Sequence, residues 1–419
     1  EKTMENNVKL TILCVVYNHK DYIRRTIESF LNQKTEYKYE ILIHDDASTD
    51  GTIDILKEYE KNYPDIIKVF YEQKNKYREK KLKDELYNIV ENYAKGDYLA
   101  WCEGDDYWID NYKVQLQLDY LENHRDCVMT AHNGICYDCR TGEMQAIDGF
   151  DEDKDVSMQE ILIHKKNCFP TASMIMKKNM FIMDKPFNEC SIGDWTLMIY
   201  CATKGKIHYF NRIMSVYRYM TAGSWSKKIN ELENYITFSL DMARFFTELN
   251  IYTKNEYKEQ VDGIINGFYK GAAFFLLNNE VKDEALSELK NIVNDRLLFD
   301  VAVYWNELIQ YKYEYKKEIE RMSQYVEQHN RIYVMGTGDV SGIITEFLHK
   351  RGLKFDGYVI SNNQSTNGVF YGKKVLHLQD VKGNKDDIGV IIAIKKRYQE
   401  EIENSLKDNG FSDFIWSIL

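Results

Sequence analysis

The stretch 96-GDYLAWCEGDDYW-108 decides the fold of the first half of the chain. Tyr98–Cys102 is apolar enough for a buried strand, and it runs straight into Glu103, Gly104, Asp105 and Asp106. Neighbouring carboxylates repel, so acids placed together at a strand end need a reason. One reason is a solvated loop in which Asp106 or Asp110 caps a helix over 111–123. The other is a divalent-cation site, because Mg2+ and Mn2+ are often held by one or two carboxylates plus substrate phosphates. Upstream, 10-LTILCVV-16, 39-YEILIH-44 and 66-IIKVFY-71 also read as buried strands. Between them, 20-KDYIRRTIESFLNQ-33 places Ile23, Ile27, Phe30 and Leu31 on one helical face. Ile53, Leu56, Tyr59 and Tyr63 give a second helix its stripe, and 81-KLKDELYNIVENYA-94 predicts a third.

This βαβαβαβ succession predicts a mostly parallel sheet covered by helices on both faces. Ligands then bind beyond the carboxyl ends of the strands. Three of those ends carry polar tails: Tyr17-Asn18, the run Asp45–Thr52, and Glu103–Trp108. Two acid pairs at neighbouring strand ends favour the cation reading over the solvated loop.

The ordered segments 15-VVYNHKDYIRRTIESFLNQ-33, 44-HDDASTDGT-52, 96-GDYLAWCEGDDYW-108, 193-GDW-195 and 217-YR-218 resemble family 2 glycosyltransferases of the GT-A fold. The likeness covers residues 8–226, and the EGDDYW wording is similar to a bacterial subgroup that builds capsule, O-antigen and other surface glycans. The resemblance implies an inverting, metal-assisted transferase. It would take a sugar from a nucleotide-diphosphate sugar, UDP-linked by preference, to a hydroxyl of a glycan, glycolipid or glycoprotein. Tyr17 and Asp46 match the positions that hold the nucleotide base, with Asp45 as the substitute if the register shifts by one. Asp105 matches the ribose or sugar contact and Asp106 the ligand of Mn2+ or Mg2+. Asp194 matches the catalytic base, Trp195 and Trp225 the acceptor contacts, and Arg218 a diphosphate contact.

Chemistry supports the base assignment independently. An inverting transfer needs a carboxylate near the acceptor hydroxyl, opposite the leaving nucleotide. Asp194 opens the apolar helix 195-WTLMIYCA-202, where the helix dipole favours a carboxylate by up to about 1 kcal/mol. A plain N-cap is the competing reading. The chain departs from the pattern in 217-YRYMTAGSWS-226, where Met220 stands at the usual His position, and a thioether is a poor ligand for hard cations. A second departure is Tyr87 before Asn88, where relatives carry Arg-Asn.

Composition excludes other classes. The chain has 419 residues, 44% hydrophobic and 29% charged, as in ordinary globular proteins. A net charge of −11 argues against nucleic acid as the partner. No apolar run reaches the ~18–20 residues of a membrane span, and no secretory leader opens the sequence. A reduced cytoplasmic protein is expected, meeting the inner face of a membrane only peripherally. The basic run 74-KNKYREKKLK-83 reads as a solvated loop or as a contact for diphosphate or anionic lipid. All eight cysteines lie at or before Cys201, mostly in apolar runs, and the lone Cys136-Tyr-Asp-Cys139 pattern is too sparse for a zinc site.

The expected organisation is α/β: a GT-A domain over 1–226, a helical connector over 227–328 and a small Rossmann-like unit over 329–419. All three prolines, Pro64, Pro170 and Pro186, fall in the first part. The connector is marked by 255-NEYKEQVDGIINGFYKGAAFFLLNN-279. In the last part, 331-RIYVMGTGDVSG-342 offers strand, glycine turn and helix, but the G-x-G-x-x-G fingerprint fails at Ser341. A structural or interaction module is the preferred reading there over a cofactor site. A nucleotidyltransferase and a non-catalytic assembly scaffold remain as rivals, and homo-oligomer formation is open.

Overall fold

The computed structural model describes residues 8–79, 81–147, 149–164, 169–190, 193–221, 232–278, 316, 319–362, 364, 368–394 and 398–417. They form two compact units, Glu1–Ile229 with Phe245–Asp262, and Asn230–Arg244 with Gly263–Leu419. The stretch expected as a separate connector thus contributes to both.

The first unit begins with β1 (Leu10–Val16), α1 (Ile23–Leu31), β2 (Tyr39–Asp45), α2 (Thr52–Asn62), β3 (Ile67–Tyr71), α3 (Leu82–Tyr93), β4 (Tyr98–Glu103) and β5 (Tyr107–Trp108). Next come α4 (Lys113–Asn123), β6 (Cys127–Asp138), β7 (Met144–Ala146), β8 (Lys154–Val156), α5 (Met158–His164), β9 (Ile175–Lys177), α6 (Asp194–Lys204) and β10 (Lys206–Tyr219). The sheet order is β3-β2-β1-β4-β9-β6-β10-β5. β1 pairs in parallel with β2 and β4, while β9 runs antiparallel between β4 and β6. The parallel half is covered on both faces, which is why its strands read as unbroken apolar runs. Leu10, Ile12, Cys14 and Val16 pack with Ile23, Ile27 and Phe30 of α1.

Two long helices follow, α7 (Leu232–Tyr252) and α8 (Lys258–Asn278). The second unit then builds β11 (Arg331–Met335), α9 (Asp339–Lys350), β12 (Gly357–Ile360), β13 (Val369–Phe370), β14 (Lys373–His377), β15 (Ile388–Ile392), α10 (Gln399–Asp408) and β16 (Phe414–Trp416). Its sheet order is β13-β14-β12-β11-β15-β16, parallel except at β13. That is a doubly wound arrangement with its first strand at the centre, as the glycine turn suggests. Gly336 has φ +107°, the left-handed conformation that makes glycine the favoured residue at this turn. Among the described residues no helix is long and apolar enough to cross a membrane. The described cysteines are free thiols, five of them buried.

Candidate functional site

The carboxyl ends of β1, β2 and β4 converge, and their tails are tied together by short polar side chains. The backbone N–H of Asn18 donates to Ser48 Oγ at 2.8 Å, and Thr49 N–H donates to Asn18 Oδ1 at 2.7 Å. Asp45 Oδ2 accepts from Ser48 N–H at 3.1 Å, a local turn of the kind Asx residues favour. Asp50 accepts from Lys20 N–H and from Thr52 N–H, both at 3.0 Å. The run 45–52 therefore folds on its own side chains.

Helix α1 holds the third tail. Buried Thr26 donates through Oγ1 to the carbonyls of Gly104 at 2.9 Å and Asp106 at 2.6 Å. Ser29 Oγ accepts from Trp108 N–H at 3.1 Å, and Gln33 Nε2 donates to Asp110 O at 2.9 Å. Gly104 is forced by contact: a Cβ there would lie 2.7 Å from His19 Nδ1 and 2.8 Å from Val16 Cγ2.

The acids take distinct roles in this turn. Asp105 Oδ2 accepts from Thr221 Oγ1 at 2.7 Å and lies 3.8 Å from His19 Nε2. Desolvation lowers the His19 pKa, so this imidazole is neutral at pH 7. Asp106 is 1% exposed, and its Oδ1 accepts from Arg218 N–H at 2.9 Å. Burial first, then the charges of Asp105 and Glu103, pushes its carboxyl well above the usual range. Glu103, the last residue of β4, is exposed to solvent. Loss of solvent around it, then the charges of Asp105 and Asp194, push its carboxyl upward, an effect that its exposed position screens. β4 ends at Glu103 and the chain turns at once, with Asp106 N–H donating to Glu103 O at 3.1 Å, so Asp105 and Asp106 both sit in the turn beyond the strand.

Asp194 begins α6, with Oδ2 accepting from Thr171 Oγ1 at 3.2 Å and Oδ1 from Trp195 N–H at 2.7 Å. Gly193 before it is pressed against Trp101, whose Cη2 would sit 2.9 Å from an added Cβ. Asp194 is near enough to the acidic turn to act electrostatically on Glu103.

On the opposite flank, Tyr17 is half-buried after β1. Asp46 is 2% exposed, and its carboxylate accepts from the backbone N–H groups of Lys76 and of Tyr77, the latter at 3.1 Å. A carboxylate has about four acceptor positions, so part of its capacity is left. Asp45 Oδ1 is buried with no hydrogen-bond partner among the described residues.

Two expected roles change. Trp195 is 2% exposed with its ring tilted on Phe246 at 4.9 Å, so it packs under α6 and presents no face to an acceptor. Arg218 is 8% exposed, donates through Nη1 to Asp105 O, and stacks over Tyr107 at 4.4 Å and Tyr22 at 5.0 Å. It braces the acidic turn instead of reaching out to a diphosphate. Trp225 lies outside the described residues. In the basic run, Lys76 pairs with Glu72 and Glu85, and Lys83 Nζ donates to the carbonyls of Asn188 and Cys190. Sequence reasoning passed over Glu103, His19, Thr221 and Tyr77. Glu103 carried a signal in its place beside the Asp105-Asp106 pair; the others are joined by tertiary contacts.

Among the described residues no three His, Cys, Asp or Glu side chains form a ready-made metal cage.

Residues 11–189 match the model of the family described as glycosyl transferase family 2. The match falls within the first unit, whose mixed α/β sheet agrees with the fold expected from the sequence. An uncharacterized protein of Mycobacterium tuberculosis is 33% identical over 219 residues, 52% of this chain and 60% of that protein. The chain therefore spans 60% of that relative's length. The Escherichia coli UDP-Glc:α-D-GlcNAc-diphosphoundecaprenol β-1,3-glucosyltransferase WfaP is 35% identical over 116 residues, 28% of this chain and 42% of that protein. Among solved structures, S. aureus TarS 1–349 in complex with UDP-GlcNAc shares the fold at a TM-score of 0.50 and 15% identity, covering 77% of this chain and 93% of that one.

Proposed function

We propose that the chain is an inverting glycosyltransferase that moves a sugar from a pyrimidine nucleoside-diphosphate sugar, UDP-linked by preference, to a hydroxyl of a surface glycan or its lipid-linked precursor. One observation carries this reading: β2 and β4, whose ends carry Asp46 and the acidic turn Glu103–Asp106, flank β1 in the sheet, and Asp194 is near enough to act electrostatically on Glu103. The donor class draws support from relatives named for UDP-glucose and for dTDP-rhamnose, which share a pyrimidine diphosphate carrier.

In this reading Tyr17, Asp46 and the 75–77 loop hold the nucleoside, and Asp105 with Glu103 faces the diphosphate. A Mn2+ or Mg2+ ion on Glu103 and Asp105 would neutralise charge on the leaving nucleotide. Asp106, expected as the metal ligand, supports the turn through Arg218 N–H. Asp194 accepts the proton of the acceptor hydroxyl as its oxygen attacks the anomeric carbon. The carbon–oxygen bond to the diphosphate breaks, the nucleotide leaves, and the configuration inverts. His19 keeps a neutral ring beside Asp105. Thr171 holds the Asp194 carboxylate through its hydroxyl.

Nucleotide release from a panel of sugar nucleotides, with wild type and Asp194→Asn, tests the reading. Release by wild type, lost in the variant while nucleotide binding persists, supports it. Full transfer by Asp194→Asn overturns the base assignment.

A further inference from the structure

Behind the acidic turn, where α4 covers the sheet, four fully buried side chains end in polar atoms without a partner among the described residues. They are Lys113 Nζ, Gln117 Oε1, His132 Nε2 and Ser215 Oγ. Lys113 and Gln117 lie one turn apart on one face of α4. Gln117 Nε2 donates to Thr130 Oγ1 at 3.2 Å and to Ser173 O at 2.9 Å, so its oxygen is left to accept. Thr130, His132 and Gly134 alternate along β6 and share a face. A Cβ on Gly134 would lie 3.3 Å from Ser215 Oγ, and Ser215 is the cross-strand partner of Trp108. Lys113 Nζ sits 4.2 Å over the Trp108 ring, which closes the circuit.

The hydrogen-bonding inventory is complementary. His132 Nδ1 is 2.6 Å from Asn133 O, which can only accept, so Nδ1 carries the proton and Nε2 of the neutral ring accepts. Burial holds this imidazole neutral, with the Lys113 charge acting in the same direction. One amine, two acceptors and a hydroxyl thus end unbonded among the residues packed between α4, β6 and β10, the kind of inventory that water with two to four polar partners completes.

We propose that Lys113, Gln117, His132 and Ser215 enclose a buried water site that fastens Trp108, and through it the acidic turn, to α4. Lys113 is then a positioning residue for the turn. Its functional consequence rests on the nucleotide-sugar reading, whereas the water site does not. The titratable groups acting on Lys113 are His132 from β6, Cys102 from β4 and Asp110 after β5. His132 is neutral, burial keeps the Cys102 thiol protonated, and Asp110 is paired with Arg212 at 2.6 Å.

A crystal structure of the full chain at high resolution is the first test. Water within hydrogen-bond distance of Lys113 Nζ and at least two of the other three atoms is expected; a dry void or a direct Lys113 bond overturns the site. The second test is tryptophan fluorescence without nucleotide, taking the difference between wild type and Trp108→Phe. A transition near neutral pH is expected, absent in Lys113→Met. The same transition in Lys113→Met overturns the coupling. The third is Mn2+·UDP binding, expected to weaken about tenfold in Lys113→Met and less in the milder Ser215→Ala. Wild-type affinity in both folded variants overturns the positioning role. Failure of wild type to bind any pyrimidine nucleotide rejects the proposed function, and the first two tests still decide the water site.

Discussion

Replacing Lys113 with Met should change how stability depends on pH. The side chain is fully buried, and desolvation, opposed only by Cys102 and Asp110, lowers its pKa from 10.5 to about 7. In the unfolded chain the amine stays protonated to about pH 10.4. The unfolded state therefore binds more protons between these values, and wild-type stability rises with pH across that window. One proton per molecule gives a slope of about 1.4 kcal/mol per pH unit, and the whole shift of about 3.5 units corresponds to roughly 5 kcal/mol. Below pH 7 both states are protonated and the full penalty is felt. Lys113→Met keeps the length and apolar stem, loses the charge, and gives up a cation–π contact with Trp108 of about 2 kcal/mol. The variant should be more stable than wild type near pH 6.5, with the advantage shrinking by about 3 kcal/mol by pH 9. Urea unfolding of both proteins across pH 6–9.5 measures this, and the paired difference cancels titrations common to both. A difference flat in pH would refute a buried, depressed Lys113.

Four further outcomes follow from the site. Asp194→Asn should retain nucleotide affinity and lose transfer by about 10²–10⁴-fold, read as kcat against KM. Mn2+-dependent nucleotide binding should strengthen from pH 6.5 to 8.5, because Glu103, raised toward 8, must lose its proton to serve a cation; calorimetry at three pH values checks this, and Glu103→Gln should flatten the dependence. Thr221→Val removes the 2.7 Å bond to Asp105 and should weaken Mn2+·UDP binding several-fold with little loss of melting temperature. Gly104→Ala places a carbon under 3 Å from His19 and Val16 and should cost about 1–3 kcal/mol in urea unfolding.

Much of this was legible in the sequence, for identifiable reasons. The reading of 10–16 as a strand matches β1 residue for residue, because a parallel strand buried on both faces is written as a continuous apolar run. Helix α1 follows its stripe of Ile23, Ile27 and Phe30, with ends drawn in from 20–33 to 23–31. In the second unit β14 escaped notice, since 373-KKVLH-377 alternates too briefly and carries polar residues. The site was legible by position more than by orientation. Motif spacing singled out Asp105 and Asp106 equally, whereas the folded turn gives Asp105 to Thr221 Oγ1 and Asp106 to Arg218 N–H. Trp195 and Arg218 were chosen as residue types that meet ligands. Their burial, against Phe246 and between Tyr22 and Tyr107, depends on chain segments distant in sequence. His19 and Thr221 carry no local signal, because both reach Asp105 only through the tertiary fold.

The most direct test of the central claim is the product made from a UDP-sugar by the full chain with an acceptor and Mn2+. Released UDP together with a glycoside of inverted anomeric configuration, abolished by Asp194→Asn, is the expected result. Release of pyrophosphate, or no turnover of any pyrimidine nucleotide sugar across an acceptor panel, would contradict the account.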